Sequence, residues 1–143
     1  MDHIAIMKPQ WHLIPKILGG EKTVESRWYT TRRNPWDKVN IGDTLYFKNS
    51  SSPIEVLAEV TDVVQFVVKT NAHAMRIMKQ YAKKDLGIST IPDEVKIYIT
   101  NKRYAIFISF SNVKKVEAFN IDKTGFGAMS AWICIKDIRK IIS

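Results

Sequence analysis

The stretch Gly19-Gly20-Glu21-Lys22-Thr23-Val24-Glu25-Ser26-Arg27-Trp28 decides how this chain is read. It opens on a Gly-Gly breaker and then places Lys22, Glu25 and Arg27 within six residues. Thr23, Val24 and Trp28 are β-formers, and a strand alternates its side chains between two faces. Thr23, Glu25 and Arg27 therefore share one face, with Val24, Ser26 and Trp28 on the other. Polar groups of complementary charge on one strand face either form a buried network or line a cleft. A generic core needs neither.

Working outward, residues 3–7 (His-Ile-Ala-Ile-Met) predict a first strand ended by Pro9. Residues 11–18 read as a short helix that tolerates Pro15 in its first turn and stops at Gly19-Gly20. The motif strand spans 23–29. A loop with Asn34-Pro35-Trp36-Asp37 leads to Gly42-Asp43 and a strand over 44–48, and residues 49–53 (Asn-Ser-Ser-Ser-Pro) form a turn. Residues 54–66 predict a long Val-rich strand, bent or bulged around Asp62. The long helix is expected over 71–85. Asn71 is its N-cap, Met75, Met78, Ala82 and Leu86 form the apolar stripe, and Gly87 is the stop. Its other side carries His73, Arg76, Lys79 and Lys83. Pro92-Asp93-Glu94 interrupts a Thr/Ile-rich stretch in which 95–99 reads as a strand. Three β-like segments follow, over 103–110, 113–119 and 131–135, with the loop 123–128 before the last and a helical turn over 137–142. Six or seven short strands with two or three flanking helices predict an α+β fold, a small, partly open mixed β-barrel. Residues 1–143 read as a single domain, long enough to bury a core.

Hydrophobic residues make up 45% of the chain and charged residues 25%, ordinary for a globular domain. No apolar run approaches the about 18 residues of a membrane span, so no membrane association is expected. The N-terminal residues lack a signal-peptide pattern. The lone Cys134 has no partner for an internal disulfide and lies in an apolar segment, where it reads as a small buried hydrophobe. A cytoplasmic protein is the expectation. The net charge of +8 biases partners toward polyanions. Its spread is uneven: Lys69, Arg76, Lys79, Lys83 and Lys84 fall between Val63 and Lys84 with no acid among them. The alternatives are a solvated face and a basic nucleic-acid contact built on Arg76, Lys79 and Lys83. The three histidines are scattered without ligand spacing, so no metal site is expected, and neither a P-loop nor a dinucleotide pattern calls for a cofactor.

The order Gly20, Lys22, Thr23, Glu25, Arg27, an aromatic loop with Trp36, then Gly42-Asp43 before a strand resembles the ASCH domain of the PUA-like superfamily. The motif covers the first third of the chain, and the strand spacing behind it suits the same fold to the end. The resemblance implies a PUA-like barrel. Some ASCH-like proteins are nucleoside amidohydrolases or ribonucleases, so it also implies that the motif lysine, Lys22, can be catalytic. In the amidohydrolase branch a threonine stands three residues after that lysine, where this chain has Glu25. That branch adds a downstream glutamate, and residues 73–84 hold no acid to match it.

On the residues themselves, Glu25 and Arg27 at i, i+2 sit roughly 7 Å apart. They either share a ligand, a carboxylate accepting from a base amino group and an Arg fork meeting phosphate or a base edge, or pair directly as part of a cleft wall. Lys22 projects from the rim or turns inward; strand parity does not decide which. Trp28, Tyr29 and Trp36 lie among Arg27, Arg32 and Arg33, and Phe126 and Trp132 flank a Gly-rich loop that ends at Ser130. Basic residues interleaved with aromatics suit single-stranded nucleic acid, whose phosphates need charge and whose bases need flat faces. Trp132, inside an apolar segment, is the expected core tryptophan, and Trp36, in a polar loop, the expected ligand contact. The expected function is binding of RNA or single-stranded nucleic acid in a basic cleft. Lys22, Arg32 and Arg33 would hold phosphates, Glu25 and Arg27 would read a base, Trp36 would stack, and Phe126 and Ser130 would stand opposite. The alternative is a hydrolase of RNA or a modified nucleoside that uses Lys22.

Overall fold

The computed structural model describes residues 1–127 and 129–143, so Ala128, within the Gly-rich loop, lies outside the described residues. Its strands are β1 (Asp2–Met7), β2 (Val24–Tyr29), β3 (Thr44–Asn49), β4 (Ile54–Val67), β5 (Tyr104–Phe119) and β6 (Trp132–Ile135). They form one sheet in the order β2-β5-β4-β3-β1-β6. The β1–β3 pair is parallel and the other pairs are antiparallel, so the sheet is mixed. The helices are α1 (Leu13–Leu18), α2 (Asn71–Leu86) and α3 (Asp93–Ile99). The result is a curled, incompletely closed barrel of the α+β class.

Alternation within the strands sorts side chains into two cores. Ile106, Ile108 and Phe110 of β5 pack with Leu45, Phe47, Val56 and Ile17 inside the curl. Ala105 and Phe107 face the other way, onto Val24 and Trp28 of β2 and the apolar stripe of α2 and α3. The long antiparallel β4–β5 pair, joined through α2 and α3, absorbs its length through register shifts, one of them between Val60 and Asp62, where the sequence suggested a bulge.

The local differences from the sequence reading have physical causes. Residues 95–99 form helix α3, not a strand: Pro92 occupies the N-cap, Asp93 and Glu94 complement the first turn, and Val95 and Ile99 bury one helical face. The segments expected over 103–110 and 113–119 are one strand. Asn112, with φ of +53°, takes up the irregularity between Ser111 and Lys114 without ending the ladder. The helix expected over 11–18 begins as a 3₁₀ turn (Pro9–Trp11), and the true helix starts only at Leu13. Thr70, rather than Asn71, caps α2: its hydroxyl accepts the His73 amide at 3.0 Å. Asn71 instead exchanges hydrogen bonds with Asn101.

At the other end of α2, Gly87 adopts φ of +73° as the left-handed stop, and Lys16 of α1 donates its ammonium to the Leu86 carbonyl at 2.8 Å. Thr23 then donates its amide to Lys84 at 2.8 Å. These contacts seat the start of β2 against the end of α2. An N-cap hydroxyl contributes about 1 kcal/mol. Thr70→Ala should therefore lower the urea-unfolding free energy by about that amount, and an unchanged midpoint would show that the cap carries nothing.

Candidate functional site

The sheet ends at β2 on one side and β6 on the other, and the seam between them is where polar side chains gather. Strand alternation sends Glu25 and Arg27 toward the seam, while Val24 and Trp28 go to the helical core. Arg27 is 7% exposed and reaches across. Its Nη1 donates to the Ala131 carbonyl at 3.0 Å, its Nη2 to the Ile6 carbonyl at 3.3 Å, and its guanidinium lies 5.2 Å from the Trp132 ring centroid. On its own strand it forks onto Glu25, with Nε and Nη2 at 3.1 and 2.8 Å from Oε2. Glu25 and Arg27 therefore pair directly.

Lys22 stands just before β2 begins, where an ammonium can reach both faces of the strand. It is 0% exposed. Its Nζ meets Glu25 Oε1 at 3.0 Å and Asp85 Oδ1 at 2.5 Å, and donates to the carbonyls of Val24 and Asp85 at 2.6 and 2.5 Å. Asp85, from the last turn of α2, in turn accepts the Ser26 hydroxyl at 2.5 Å. Two cations and two carboxylates thus form one buried, charge-balanced chain: Arg27, Glu25, Lys22, Asp85.

Burial alone would lower the Lys22 pKa, but the charges of Asp85 and Glu25 outweigh it and hold the ammonium above its usual value. Burial would raise Glu25, yet Lys22 and Arg27 together keep it below the ordinary carboxylate range. Asp85 goes the other way. Burial raises it, the Glu25 charge adds to that, and Lys22 and the Ser26 hydroxyl do not compensate.

Beside this chain lies a cavity of about 870 Å³ whose wall includes Glu25, Ser26, Arg27 and Asp85. Trp11, Tyr29, Tyr98, Phe126 and Trp132 give it aromatic surface, and Lys8 and Arg33 bring cations to it. Tyr98, from α3, accepts the Trp28 amide on its hydroxyl at 3.3 Å. Arg33 lies over the Tyr29 ring at 5.3 Å. From the loop, Ser130 donates its hydroxyl to the Trp132 carbonyl at 2.9 Å.

The structure gathers some of the sequence-predicted residues and leaves others apart. Glu25, Arg27, Arg33, Phe126 and Ser130 line the cavity. Lys22 sits behind its wall. Arg32 and Trp36 form a separate group with Tyr104: the two rings meet at 5.0 Å, and the Arg32 guanidinium lies 5.9 Å from Trp36 and 5.4 Å from Tyr104. Arg76, Lys79 and Lys83 are exposed along α2, away from the cavity wall. Trp132, 3% exposed, is core, as expected, and so is Trp28. Cys134 is not in the wall, and burial pushes its thiol up to about 11.

The sequence reading missed Asp85, Tyr98 and Trp11. Asp85 had two signals. It falls seven residues after Met78, on the apolar stripe, and it is an acid in the last helical turn, where the helix dipole disfavours negative charge. An acid so placed asks for a buried cation. Tyr98 was hidden by the strand reading of α3.

No protein-family model matches the chain, and no curated protein matches its sequence. Solved structures do. The fold is that of ASCH domain proteins. The ASCH protein from Zymomonas mobilis superposes with a TM-score of 0.67 at 13% identity, covering 99% of this chain and 96% of that one. A tyrosine-to-phenylalanine variant of the same protein gives 0.70 at 14% identity, covering 97% and 93%. Its serine-to-alanine variant gives 0.70 at 14%, covering 97% and 91%. Among the described residues no helix is long and apolar enough to cross a membrane.

Removing one partner of a buried ion cluster strands the others, at a cost of about 3–5 kcal/mol. Lys22→Met should lose that much in urea unfolding at neutral pH; a loss within experimental error would mean that the cluster is not buried. The pH dependence has a definite sign. A raised lysine contributes fully below its ordinary value of 10.5 and loses that contribution as pH climbs through its folded value. The stability gap between wild type and Lys22→Met should therefore shrink above pH 10.5. Lowered Glu25 contributes above 4.5 and loses this as pH falls through its folded value, with raised Asp85 opposing it.

Proposed function

We propose that the protein binds single-stranded nucleic acid and takes one unstacked base into the seam cavity, with RNA the first candidate on the analogy of the PUA-like fold. The observation that carries this reading is an aromatic-walled cavity of about 870 Å³ with cations at its edge, in a chain of net charge +8. Its size is within the range of about 300–1,000 Å³ that holds small ligands. Tyr29, Tyr98 and Phe126 offer faces for a base, and Arg33 offers a phosphate contact. Glu25 and Arg27 fix the wall through their mutual pair and leave little capacity for a ligand. Lys22 serves through the buried chain, and the phosphate role passes to Arg33 and Lys8. The exposed Arg76, Lys79 and Lys83 lie on the helix whose end brings Asp85 and Leu86 to the cavity. A strand leaving the cavity along α2 would meet them.

Titration of a fluorescently labelled eight-nucleotide RNA tests this reading. Each phosphate contact should add about 0.7 to the slope of log K against log salt. Arg33→Ala should reduce that slope by about 0.7, and Phe126→Ala should cost about 1–3 kcal/mol of binding through lost stacking. Binding that ignores salt, or no binding at low salt, would sink the proposal.

A second reading, hydrolysis of RNA or of a modified nucleoside, has its own observation: Lys22, Asp85 and Ser26 form a connected chain that ends on the cavity wall. Asp85 supplies an acid on α2 that the resemblance asks for and residues 73–84 lack. In this reading Asp85, raised by burial, takes the proton of the Ser26 hydroxyl as that oxygen attacks and returns it to the leaving group. Lys22, held protonated, supplies charge rather than a lone pair. Wild type should then turn over RNA or an acylated nucleoside, and Ser26→Ala should abolish turnover while oligonucleotide binding persists. Equal turnover by Ser26→Ala would contradict this assignment.

A further inference from the structure

The cavity carries a second feature that the motif residues do not account for. Trp11, from the 3₁₀ turn after β1, and Tyr98, from α3, meet edge to face with ring centroids 6.0 Å apart. Both rings line the cavity, so their contact joins its two walls. Each ring also carries a lysine. Lys8 Nζ lies 5.4 Å from the Trp11 centroid, and Lys102 Nζ lies 5.5 Å from that of Tyr98. The order in space is lysine, tryptophan, tyrosine, lysine. Lys8 is exposed and Lys102 half-buried, so the outer sides of both ammoniums remain open to water.

A lysine held against an aromatic face has lost part of its rotamer freedom before any ligand arrives, so less ordering cost remains to be met on binding. Two such lysines on either side of an aromatic pair match the repeat of a single strand, phosphate, base, phosphate, better than that of a peptide or a lipid headgroup. Neither ammonium has an acidic partner among the described contacts, in contrast to Lys96, which pairs with Asp93. Positive charge without an acidic partner thus flanks the junction, Lys8 in the cavity lining and Lys102 against Tyr98 beyond it.

We propose that Lys8, Trp11, Tyr98 and Lys102 form the docking subsite of the cavity for single-stranded nucleic acid. The two lysines engage phosphates at separate points of the strand, and the aromatic pair between them packs against a base. This assignment rests on the nucleic-acid reading above and adds to it the residues that receive the strand.

The test uses the full chain and a labelled eight-nucleotide single strand, as RNA and as DNA, titrated across a salt series. Lys8→Ala and Lys102→Ala should each lower the slope of log K against log salt by about 0.7. Trp11→Ala should weaken binding roughly 5- to 150-fold through lost stacking. Lys114→Ala, on β5 and outside the cavity lining, removes the same unit of charge and should leave both quantities at the wild-type value. Lys8→Ala alters an exposed side chain and Lys102→Ala a half-buried one without an acidic partner, so they give an answer even if Trp11→Ala misfolds. If wild type binds with a steep slope and the two lysine variants match it, or if Lys114→Ala loses as much as they do, this subsite is overturned while the broader reading stands. If wild type binds neither strand at low salt, both fall. RNA and DNA binding equally means recognition of the phosphodiester strand itself; a preference for RNA adds a contact to the 2′-hydroxyl. Either result supports the subsite when the lysine slopes drop.

Discussion

One ammonium, that of Lys22, sits where a strand and a helix end together, and the seam of the barrel depends on it. It joins Asp85 at the end of α2 to Glu25 on β2, and Glu25 in turn orients the Arg27 fork. Arg27 then spans to the carbonyls of Ile6 and Ala131 on the far side of the sheet. Each group in this chain would be costly to bury alone, and each is satisfied only by the next. The sheet is not closed by a backbone ladder at this point, and a chain of side-chain charges does the closing. That explains why Glu25 and Arg27 share one face of β2, while Val24 and Trp28 on the other go to the core and Ser26 beside them meets Asp85.

A seam held in this way leaves space beside it. Closing the gap with strand pairing would have filled it with backbone; closing it with side chains leaves a cavity against β2, between β1 and the helices. The charge chain is internally neutral, so it furnishes a rigid wall with little net pull on a ligand. The attraction comes from other residues: Lys8 and Arg33 at the cavity and the exposed cations of α2. Rigid wall, aromatic surface and peripheral charge are separate parts carried by separate elements. In the proposed function the wall shapes a base site and the periphery holds the strand.

Much of this was legible in the sequence, and the misses share a cause. Alternation across residues 24–28 assigned the two faces of β2 as they stand in the structure, and the order of strand and turn signals led to the mixed α+β barrel. The helical stripe of α2 was equally plain. What sequence could not show was contact between elements far apart in the chain. Asp85 lies 63 positions from Lys22 and Trp11 lies 87 from Tyr98 in the numbering of the chain, and no local pattern links them. Trp36 illustrates the converse. From a polar loop its half-buried ring packs on Tyr104 and the inner core, because the loop folds back over the sheet. Local periodicity reports the face on which a side chain lies; only the fold reports what stands opposite.

The four tryptophans are well placed for the most direct measurement of the central claim, that the cavity beside the Lys22 chain receives a nucleic-acid strand. Trp11 is at the cavity's junction, Trp132 and Trp28 are buried in its wall, and Trp36 lies outside. An NMR titration with a short single-stranded RNA would follow their indole N–H signals together with the backbone amides. The account predicts that the largest shifts fall on Trp11 and on the amides of Ser26, Tyr98 and Ser130, with Trp36 nearly still. Shifts centred on Trp36 and Arg32, with Trp11 unmoved, would contradict it.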